Sequence, residues 1–258
     1  MDLVIFKNYD ELSQAAAEKV IAALRNNPRL VLGLATGSTP LGLYQRLVEA
    51  FRQGRVDFAQ VTTFNLDEYY GLPASHEQSY HYYMWEHLFR HVNVPPENTF
   101  IPAGDPADVD AECRAYEEQI ARAGGIDLQI LGIGANGHIG FNEPGVDFSL
   151  PTHLVELSER TITANSRFFP SRAAVPRKAL SMGIRTIMKA REILLLASGP
   201  DKAEAVRNTV EGPVTPEVPA SVLQRHPRAS IFVDEAAAAL LSPALRRKVQ
   251  GAGTVALG

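Results

Sequence analysis

Residues 30–52 read LVLGLATGSTPLGLYQRLVEAFR, an apolar run that passes through a small hydroxyl-rich turn into a helical pattern. The run Leu30–Leu34 has the length and apolar character of a buried strand. Pro40 suits the first position of a helix, because it has no N–H group to satisfy there. A strand that leads directly into a helix is the building unit of an α/β protein.

The same alternation recurs along the chain. Apolar runs that predict strands are Leu3–Phe6, Leu30–Leu34, Val61–Leu66, Leu128–Ile133, Glu192–Ala197 and Ser230–Val233. Helical patterns are Asp10–Arg25, Pro40–Arg52, Ser79–His91, Ala107–Arg122, Asp201–Val210 and Ala220–Arg225. This order predicts one doubly wound α/β domain over residues 1–258, with a mostly parallel sheet and helices on both faces. Pro144–Arg177 has four prolines and little strand signal, which predicts a lid at about residues 150–180.

The composition gives no sign of a special partner or compartment. The chain has 45% hydrophobic and 21% charged residues, and its net charge of −4 does not favour nucleic acid or a membrane surface as a partner. No signal-peptide pattern and no run of ~20 apolar residues is present in the sequence, so we expect a cytoplasmic protein. Cys113 is the only cysteine and is expected to be a buried hydrophobe.

The turn after the first long apolar run has the composition of an anion-binding site. Ligands of open α/β sheets bind beyond the carboxyl ends of the strands, where Thr36, Gly37, Ser38 and Thr39 lie. Backbone N–H groups at the helix start, together with the hydroxyls of Thr36, Ser38 and Thr39, would hold a phosphate. The lysine of a nucleotide P-loop is absent, which argues against that class of site. A plain capped turn remains the alternative.

Two adjacent carboxylates, Asp67 and Glu68, follow the run that ends at Leu66. Successive residues at a strand end face opposite ways, so only one of them points into a cleft. We predict that Asp67 is the inward group and that Glu68 has a structural or capping role. Capping of the next turn by Asp67 is the open alternative.

The glycine-rich segment 132–145 carries an imidazole, a carboxylate and two amides. Its residues 132–137, GIGANG, match the G-x-G-x-x-G dinucleotide fingerprint, but no helical pattern follows, so we reject a nucleotide site. His138 is then placed for general acid/base chemistry. Glu143 and Asn136 are near enough in sequence to hydrogen-bond a ring nitrogen of His138 and set its tautomer.

Two cations are further candidates for binding an anion. Lys202 follows the run that ends at Ala197, in the first turn of a predicted helix, and Arg167 lies in the predicted lid. Simple solvation at the surface is the alternative for each. His87 and His91 are spaced four apart, but Leu88 occupies the place of a metalloprotease glutamate, so we predict no metal site there.

These segments together resemble the glucosamine-6-phosphate deaminase (glucosamine/galactosamine-6-phosphate isomerase) family over most of the chain. The motifs that carry the resemblance are residues 35–40 (ATGSTP), 65–69 (NLDEY), 137–144 (GHIGFNEP), 165–169 (NSRFF) and the segment around Lys202. The resemblance implies a Rossmann-like fold and conversion of glucosamine 6-phosphate and water into fructose 6-phosphate and ammonia. It implies no metal and no organic cofactor.

The resemblance also implies roles for individual residues. His138 would open the sugar ring, with Glu143 and Asn136 tuning it. Asp67, ionised at neutral pH like an ordinary carboxylate, would take the C2 proton. The phosphate would be held by the backbone and side chains of residues 36–39, together with Arg167 and Lys202.

Two departures from the family pattern concern regulation and tuning. Allosteric hexameric members carry serine, arginine and lysine where this chain has Val146, His153 and Val155, so activation by N-acetylglucosamine 6-phosphate is not expected. The resemblance leaves the oligomeric state open. Some members have aspartate where this chain has Asn136.

Three other functions remain to be weighed. A 6-phosphogluconolactonase or another sugar-phosphate isomerase would use the same fold, but a lactonase needs no C2 base. A non-catalytic sugar-phosphate sensor is the least favoured, because the chain leaves no room for a helix-turn-helix before its first strand and has no basic excess.

Asn136 provides a test of how His138 is tuned. Asparagine supplies no charge, so we expect His138 to depend on Glu143 alone. Asn136→Asp adds a second carboxylate near the imidazole and should shift the acid limb of the pH–rate profile. An unchanged profile would contradict this expectation.

Overall fold

The computed structural model describes residues 1–252 and 255–256, with side chains through Val249. Its strands are β1 (Asp2–Phe6), β2 (Val31–Leu34), β3 (Thr62–Asn65), β4 (Asp67–Tyr69), β5 (Thr99–Phe100), β6 (Leu128–Leu131), β7 (His153–Glu156), β8 (Lys178–Ser181), β9 (Glu192–Ala197), β10 (Ala229–Asp234) and β11 (Val255–Ala256). Its α-helices are α1 (Tyr9–Asn26), α2 (Leu41–Arg52), α3 (Tyr80–His87), α4 (Val109–Arg122), α5 (Glu159–Asn165), α6 (Ile184–Ile187), α7 (Ala203–Glu211) and α8 (Pro243–Ala252).

The main sheet has the strand order β11-β1-β10-β9-β6-β2-β3-β5. Seven of these strands are parallel, and β11 pairs antiparallel with β1 at one edge. From β2 the chain winds outward through β3 to β5, and from β6 it winds the other way through β9 to β10, beyond which the N-terminal strand β1 pairs. The predicted doubly wound α/β fold is therefore confirmed. The change of direction between β2 and β6 is the point where such sheets bind ligands.

Both faces of the main sheet are buried, which is why its strands are nearly continuous apolar runs. One core packs α1 and α2 on the sheet through residues such as Leu12, Leu47 and Leu194. The other core covers the opposite face and includes Leu131, Ile193 and Leu195. Alternate residues of β9 thus serve the two cores, so a polar substitution at any of these positions would bury an unpaired group.

A second, three-stranded antiparallel sheet has the order β4-β8-β7 and lies beside the carboxyl ends of the main sheet. None of its strands was predicted from the sequence, and β7 lies within Pro144–Arg177, the segment with little strand signal. β4 is only three residues long and reads Asp-Glu-Tyr, which has no apolar alternation to detect. A lid at about residues 150–180 stays a prediction.

Other differences from the predicted elements are local. Residues 219–225 form a 3₁₀ helix, whereas an α-type helical pattern was expected. Pro40 is the N-cap of α2 and not its first residue. Lys202 ends a 3₁₀ turn and is the N-cap of α7. The elements that were not predicted from the sequence are β4, β5, β7, β8, β11, α5, α6 and α8.

Within the described residues, no helix is both long enough and apolar enough to cross a membrane. Cys113 is buried, as expected from the helix on which it lies.

Gly183 allows a test of the packing between the segment that follows β8 and the segment that precedes β7. A Cβ atom at this position would lie 2.1 Å from the Leu150 carbonyl oxygen and 2.2 Å from that of Pro151. Because backbone must move to relieve this clash, Gly183→Ala should lower the free energy of unfolding by about 1–3 kcal/mol.

Gly132→Ala is the matched control, since a Cβ atom there meets nothing within 4 Å. It should change stability by less than about 0.5 kcal/mol in the same denaturant titration. Equal effects of the two substitutions would refute the close approach at Gly183.

Candidate active site

A cavity of about 310 Å³ lies at the carboxyl ends of β2 and β6, where the strand order reverses. Nine of the ten residues predicted for the site line it: Thr36, Gly37, Ser38, Thr39, Asp67, Asn136, His138, Arg167 and Lys202. The tenth, Glu143, is not in the lining but contacts Asn136 and lies beside His138. Segments far apart in sequence are thus brought to one place by the parallel topology.

Asp67 is the buried carboxylate of the cavity, with 6% of its surface exposed. It begins β4 and pairs in register with Ser181 of β8. Burial, together with the charge of Glu68, raises the pKa of Asp67 to about 8. The expectation that Asp67 is ionised like an ordinary carboxylate is therefore wrong for the free protein, in which it holds a proton at neutral pH.

Glu68 faces away from the cavity and is fully buried. Its carboxylate accepts hydrogen bonds from the backbone N–H groups of Tyr69, Tyr80 and His81, at 2.8, 2.9 and 3.0 Å. Its Oε2 also lies 2.9 Å from Nδ1 of His81. Glu68 therefore ties the first turn of α3 to β4, the structural role expected for it.

The loop that carries His138 depends on two glycines. A Cβ atom at Gly134 would lie 2.3 to 2.5 Å from atoms of the His138 ring, so only glycine lets the imidazole pack there. Gly140 has φ +57° and lies against Ser181 and Asp67, which brings the loop next to the second sheet. No helix begins within this loop, in agreement with the rejection of a nucleotide fingerprint.

Glu143 lies beside the imidazole, and Asn136 connects the two. Oε2 of Glu143 is 3.6 Å from Nδ1 of His138, and Nδ2 of Asn136 donates to that same Oε2 at 2.7 Å. Oδ1 of Asn136 accepts from the backbone N–H of His138, at 3.2 Å, so the predicted contact of Asn136 with the ring is wrong. Asn136 orients the carboxylate and the loop, and not the imidazole directly.

The carboxylate of Glu143 is held in its ionised form. Burial raises its pKa, but the interaction with His138 and the hydrogen bonds from Thr161 and Asn136 outweigh burial and lower the pKa to about 2. Ser158 also donates from its hydroxyl, at 3.1 Å. A fixed negative charge beside Nδ1 favours a proton on that nitrogen, which leaves Nε2 of His138 for exchange with a ligand.

The turn 36–39 is held open toward the cavity by two tyrosines. The Tyr83 hydroxyl donates to the Gly37 carbonyl at 2.6 Å, and the Tyr9 hydroxyl donates to that of Thr39 at 2.9 Å. In the described part of the chain, the N–H groups of residues 37, 38 and 39 donate to no protein acceptor. Gly37 has φ +95°, a conformation that favours glycine. The tyrosines thus hold carbonyls of the turn and leave its N–H groups for an anion.

Three cations surround the same cavity: Arg160, Arg167 and Lys202. The guanidinium of Arg167 lies 4.6 Å from the centre of the Phe168 ring. Lys202 follows a turn that Asp234 holds by accepting from the Ser198 hydroxyl and the Gly199 N–H. The cavity is therefore suited to a ligand with a negatively charged group at one end.

Sequence reasoning missed Tyr9, Tyr80, Tyr83 and Arg160. Tyr80 and Arg160 line the cavity, and Tyr9 and Tyr83 hold its turn. Tyr9 and Tyr83 are 30 and 46 residues away in sequence from the turn residues that they contact. A tyrosine in a helical pattern gives no local sign of such a contact.

Comparison with known protein families shows which family the chain belongs to. Residues 7–232 match the model of the glucosamine-6-phosphate isomerases/6-phosphogluconolactonase family. The chain belongs to this family. It is 58% identical to the glucosamine-6-phosphate deaminase of Halothermothrix orenii over 241 residues, which cover 93% of this chain and all of that protein. It is 56% identical to the enzyme of the same name from Clostridioides difficile, over 94% of this chain and 98% of that one.

Solved structures of family members have the same fold. A monomeric glucosamine-6-phosphate deaminase of the NagB superfamily superposes with a TM-score of 0.92 at 47% identity, over 93% of this chain and all of that one. The 6-phosphogluconolactonase of Thermotoga maritima superposes with a TM-score of 0.69 at 21% identity, over 90% of this chain and 98% of that one. The second likeness shows the fold alone.

Tyr83 provides a test of the anion-binding turn. Tyr83→Phe removes the hydroxyl that holds the Gly37 carbonyl, so the turn loses a hydrogen bond of about 1 kcal/mol. Binding of inorganic phosphate, measured by isothermal titration calorimetry, should weaken about fivefold. Tyr82→Phe is the matched control, because the neighbouring Tyr82 is exposed on the same helix. Equal phosphate affinity in both variants would show that Tyr83 does not position the turn.

Proposed function

We propose that this protein is a glucosamine-6-phosphate deaminase that converts glucosamine 6-phosphate and water into fructose 6-phosphate and ammonia. The observation that carries the proposal is the buried Asp67, whose pKa is raised to about 8, in the same cavity as His138 and an anion-binding turn. The names of relatives at 52 to 58% identity agree with it.

In the proposed mechanism the phosphate binds first to the N–H groups of residues 37–39, with Arg167 and Lys202 supplying opposite charge. These contacts are remote from the reacting carbons. Their binding energy orients C1 and C2 of the sugar against the acid/base groups and is worth several kcal/mol when the geometry is correct.

Ring opening is assigned to His138. The imidazole moves a proton between the anomeric hydroxyl and the ring oxygen, which yields the open amino aldehyde. The charge of the ionised Glu143, 3.6 Å from Nδ1, favours a proton on that nitrogen and stabilises the imidazolium form while the second proton is on the ring. Asn136 keeps that carboxylate in place.

Isomerisation is assigned to Asp67. Its carboxylate takes the proton from C2 and returns it to C1, while a proton passes from the amino nitrogen to the aldehyde oxygen, so that the amino aldehyde becomes a ketose imine. Water then adds to the imine carbon and the C–N bond breaks, which releases ammonia and leaves the C2 ketone. A pKa near the working pH suits a group that must both accept and return a proton, and the ammonium group of a bound amino sugar lowers the pKa of Asp67 and favours its ionised form.

A lactonase on the same fold is the second candidate, since the family includes that activity. It requires no carbon base, so a buried carboxylate with raised pKa would have no task in it. The substrate assay separates the two. We expect ammonia from glucosamine 6-phosphate, none from its N-acetylated form and no hydrolysis of 6-phosphogluconolactone. Absence of ammonia from the first would overturn the proposal.

Asp67→Asn tests the role of the carboxylate. The amide keeps the shape of the side chain but cannot take the C2 proton. Ammonia release and exchange of solvent deuterium into the product should fall by at least about 10³-fold, as expected on removal of a general base. Binding of inorganic phosphate should stay within about twofold, because Asp67 is not assigned to the phosphate. Loss of phosphate binding would instead make Asp67 structural.

A further inference from the structure

A second cavity, of about 430 Å³, lies behind the phosphate turn, between α3 and residues 165–169. It shares a wall with the active-site cavity: Gly37, Ser38, Tyr80, Asn165 and Phe168 line both. Asp67, His138 and Lys202 line only the first. The second cavity therefore adjoins the first, and the proposed reaction gives it no role.

Six of the fifteen residues that line the second cavity are tyrosine or phenylalanine. The rings that line it are Tyr69, Tyr80, Tyr82, Tyr83, Phe168 and Phe169. Tyr82 is 38% exposed, so its ring is accessible to a ligand from solvent, whereas the ring of Phe168 is already in contact with the guanidinium of Arg167. The face of an aromatic ring carries negative potential and attracts a cation, most strongly an ammonium group that sheds water easily.

The charged groups of this cavity have the same sign. Glu77 and Glu86 are its acidic lining residues, and none of the lining residues that the structure describes is a lysine or an arginine. Glu86 is paired with Arg90 at 2.9 Å, whereas Glu77 forms no ion pair among the described side chains. Burial makes the largest contribution to the lowered pKa of His87, so its imidazole is neutral at pH 7.

The two neighbouring cavities thus differ in electrostatic character. The first has three cations, which suit a phosphate, and the second has aromatic faces and a free carboxylate, which suit a positive charge. A phosphorylated sugar gains nothing in the second cavity, where its charge would be repelled by the acidic groups.

We propose that the second cavity is a binding site for a small organic cation that bears a primary or quaternary ammonium group. The ammonium group lies against the aromatic rings near Glu77. The site is distinct from the phosphate site, so both can be filled at once. This proposal does not rest on the deaminase reaction.

Choline is a suitable probe, with 3,3-dimethyl-1-butanol as its neutral isostere. Trp85 is the only tryptophan, and it lies on α3, the helix that supplies Tyr82 and Glu86 to the lining, so its fluorescence reports on changes in that helix. We expect choline to change this fluorescence with a saturable millimolar dependence, and the neutral isostere to bind at least about fivefold more weakly. Saturating inorganic phosphate should change the choline affinity by less than about threefold.

Two variants locate the bound cation. Tyr82→Leu and Glu77→Gln should each weaken choline binding about fivefold or more, since each removes a contact of about 1 kcal/mol. Glu97→Gln is the matched control for charge, because Glu97 is exposed and is not in the lining. Isothermal titration calorimetry checks the same affinities without the fluorophore.

Each other result contradicts the proposal. Equal binding of the neutral isostere would show a site without cation preference. Competition between choline and phosphate would place the probe in the active site. Absence of binding up to about 0.1 M, or equal effects of Glu77→Gln and Glu97→Gln, would leave no cation site in this cavity.

Discussion

The buried carboxylate of Glu68 is the contact on which the active site depends. It satisfies the first backbone N–H groups of α3 and one N–H of β4, and so fixes the helix onto the second sheet. Because strand residues alternate, this anchoring turns Asp67 into the cavity. The buried charge of Glu68 also contributes, after burial itself, to the raised pKa of Asp67. The same helix then delivers Tyr83 to the phosphate turn.

The second sheet connects this anchor to the His138 loop. Ser181 of β8 pairs in register with Asp67, and its hydroxyl accepts from the N–H of Phe141. Asn142 donates to the carbonyls of Ile139 and Met182, which closes the loop onto the end of β8. Asp67 and His138 are thereby supported by one small unit, and the main sheet supplies the turn 36–39. Preorganised groups of this kind avoid rearrangement during the reaction.

The sequence predicted the main sheet well because its inner strands are buried on both faces. β2, β6 and β9 are apolar runs, and the polar residues that follow the first two line the cavity. The second sheet could not be predicted, because β4 is short and polar and its pairing with β8 is set by tertiary contacts. The neighbouring residues in the sequence also could not predict that the side chain of Asp67 is buried. A carboxylate pKa follows from the surrounding protein, and burial raises it here, whereas the sequence led us to expect the pKa of an ordinary carboxylate.

In the proposed reaction Asp67 is a buried base, and its proton affinity is set by burial and by the charge of Glu68. The most direct measurement is the titration of the Asp67 side-chain carboxyl carbon by NMR in the free protein, assigned with Asp67→Asn. We expect the carboxyl group of Asp67 to titrate with a midpoint at a pH of about 8. A midpoint near 3.8, the ordinary value for aspartate, would contradict it.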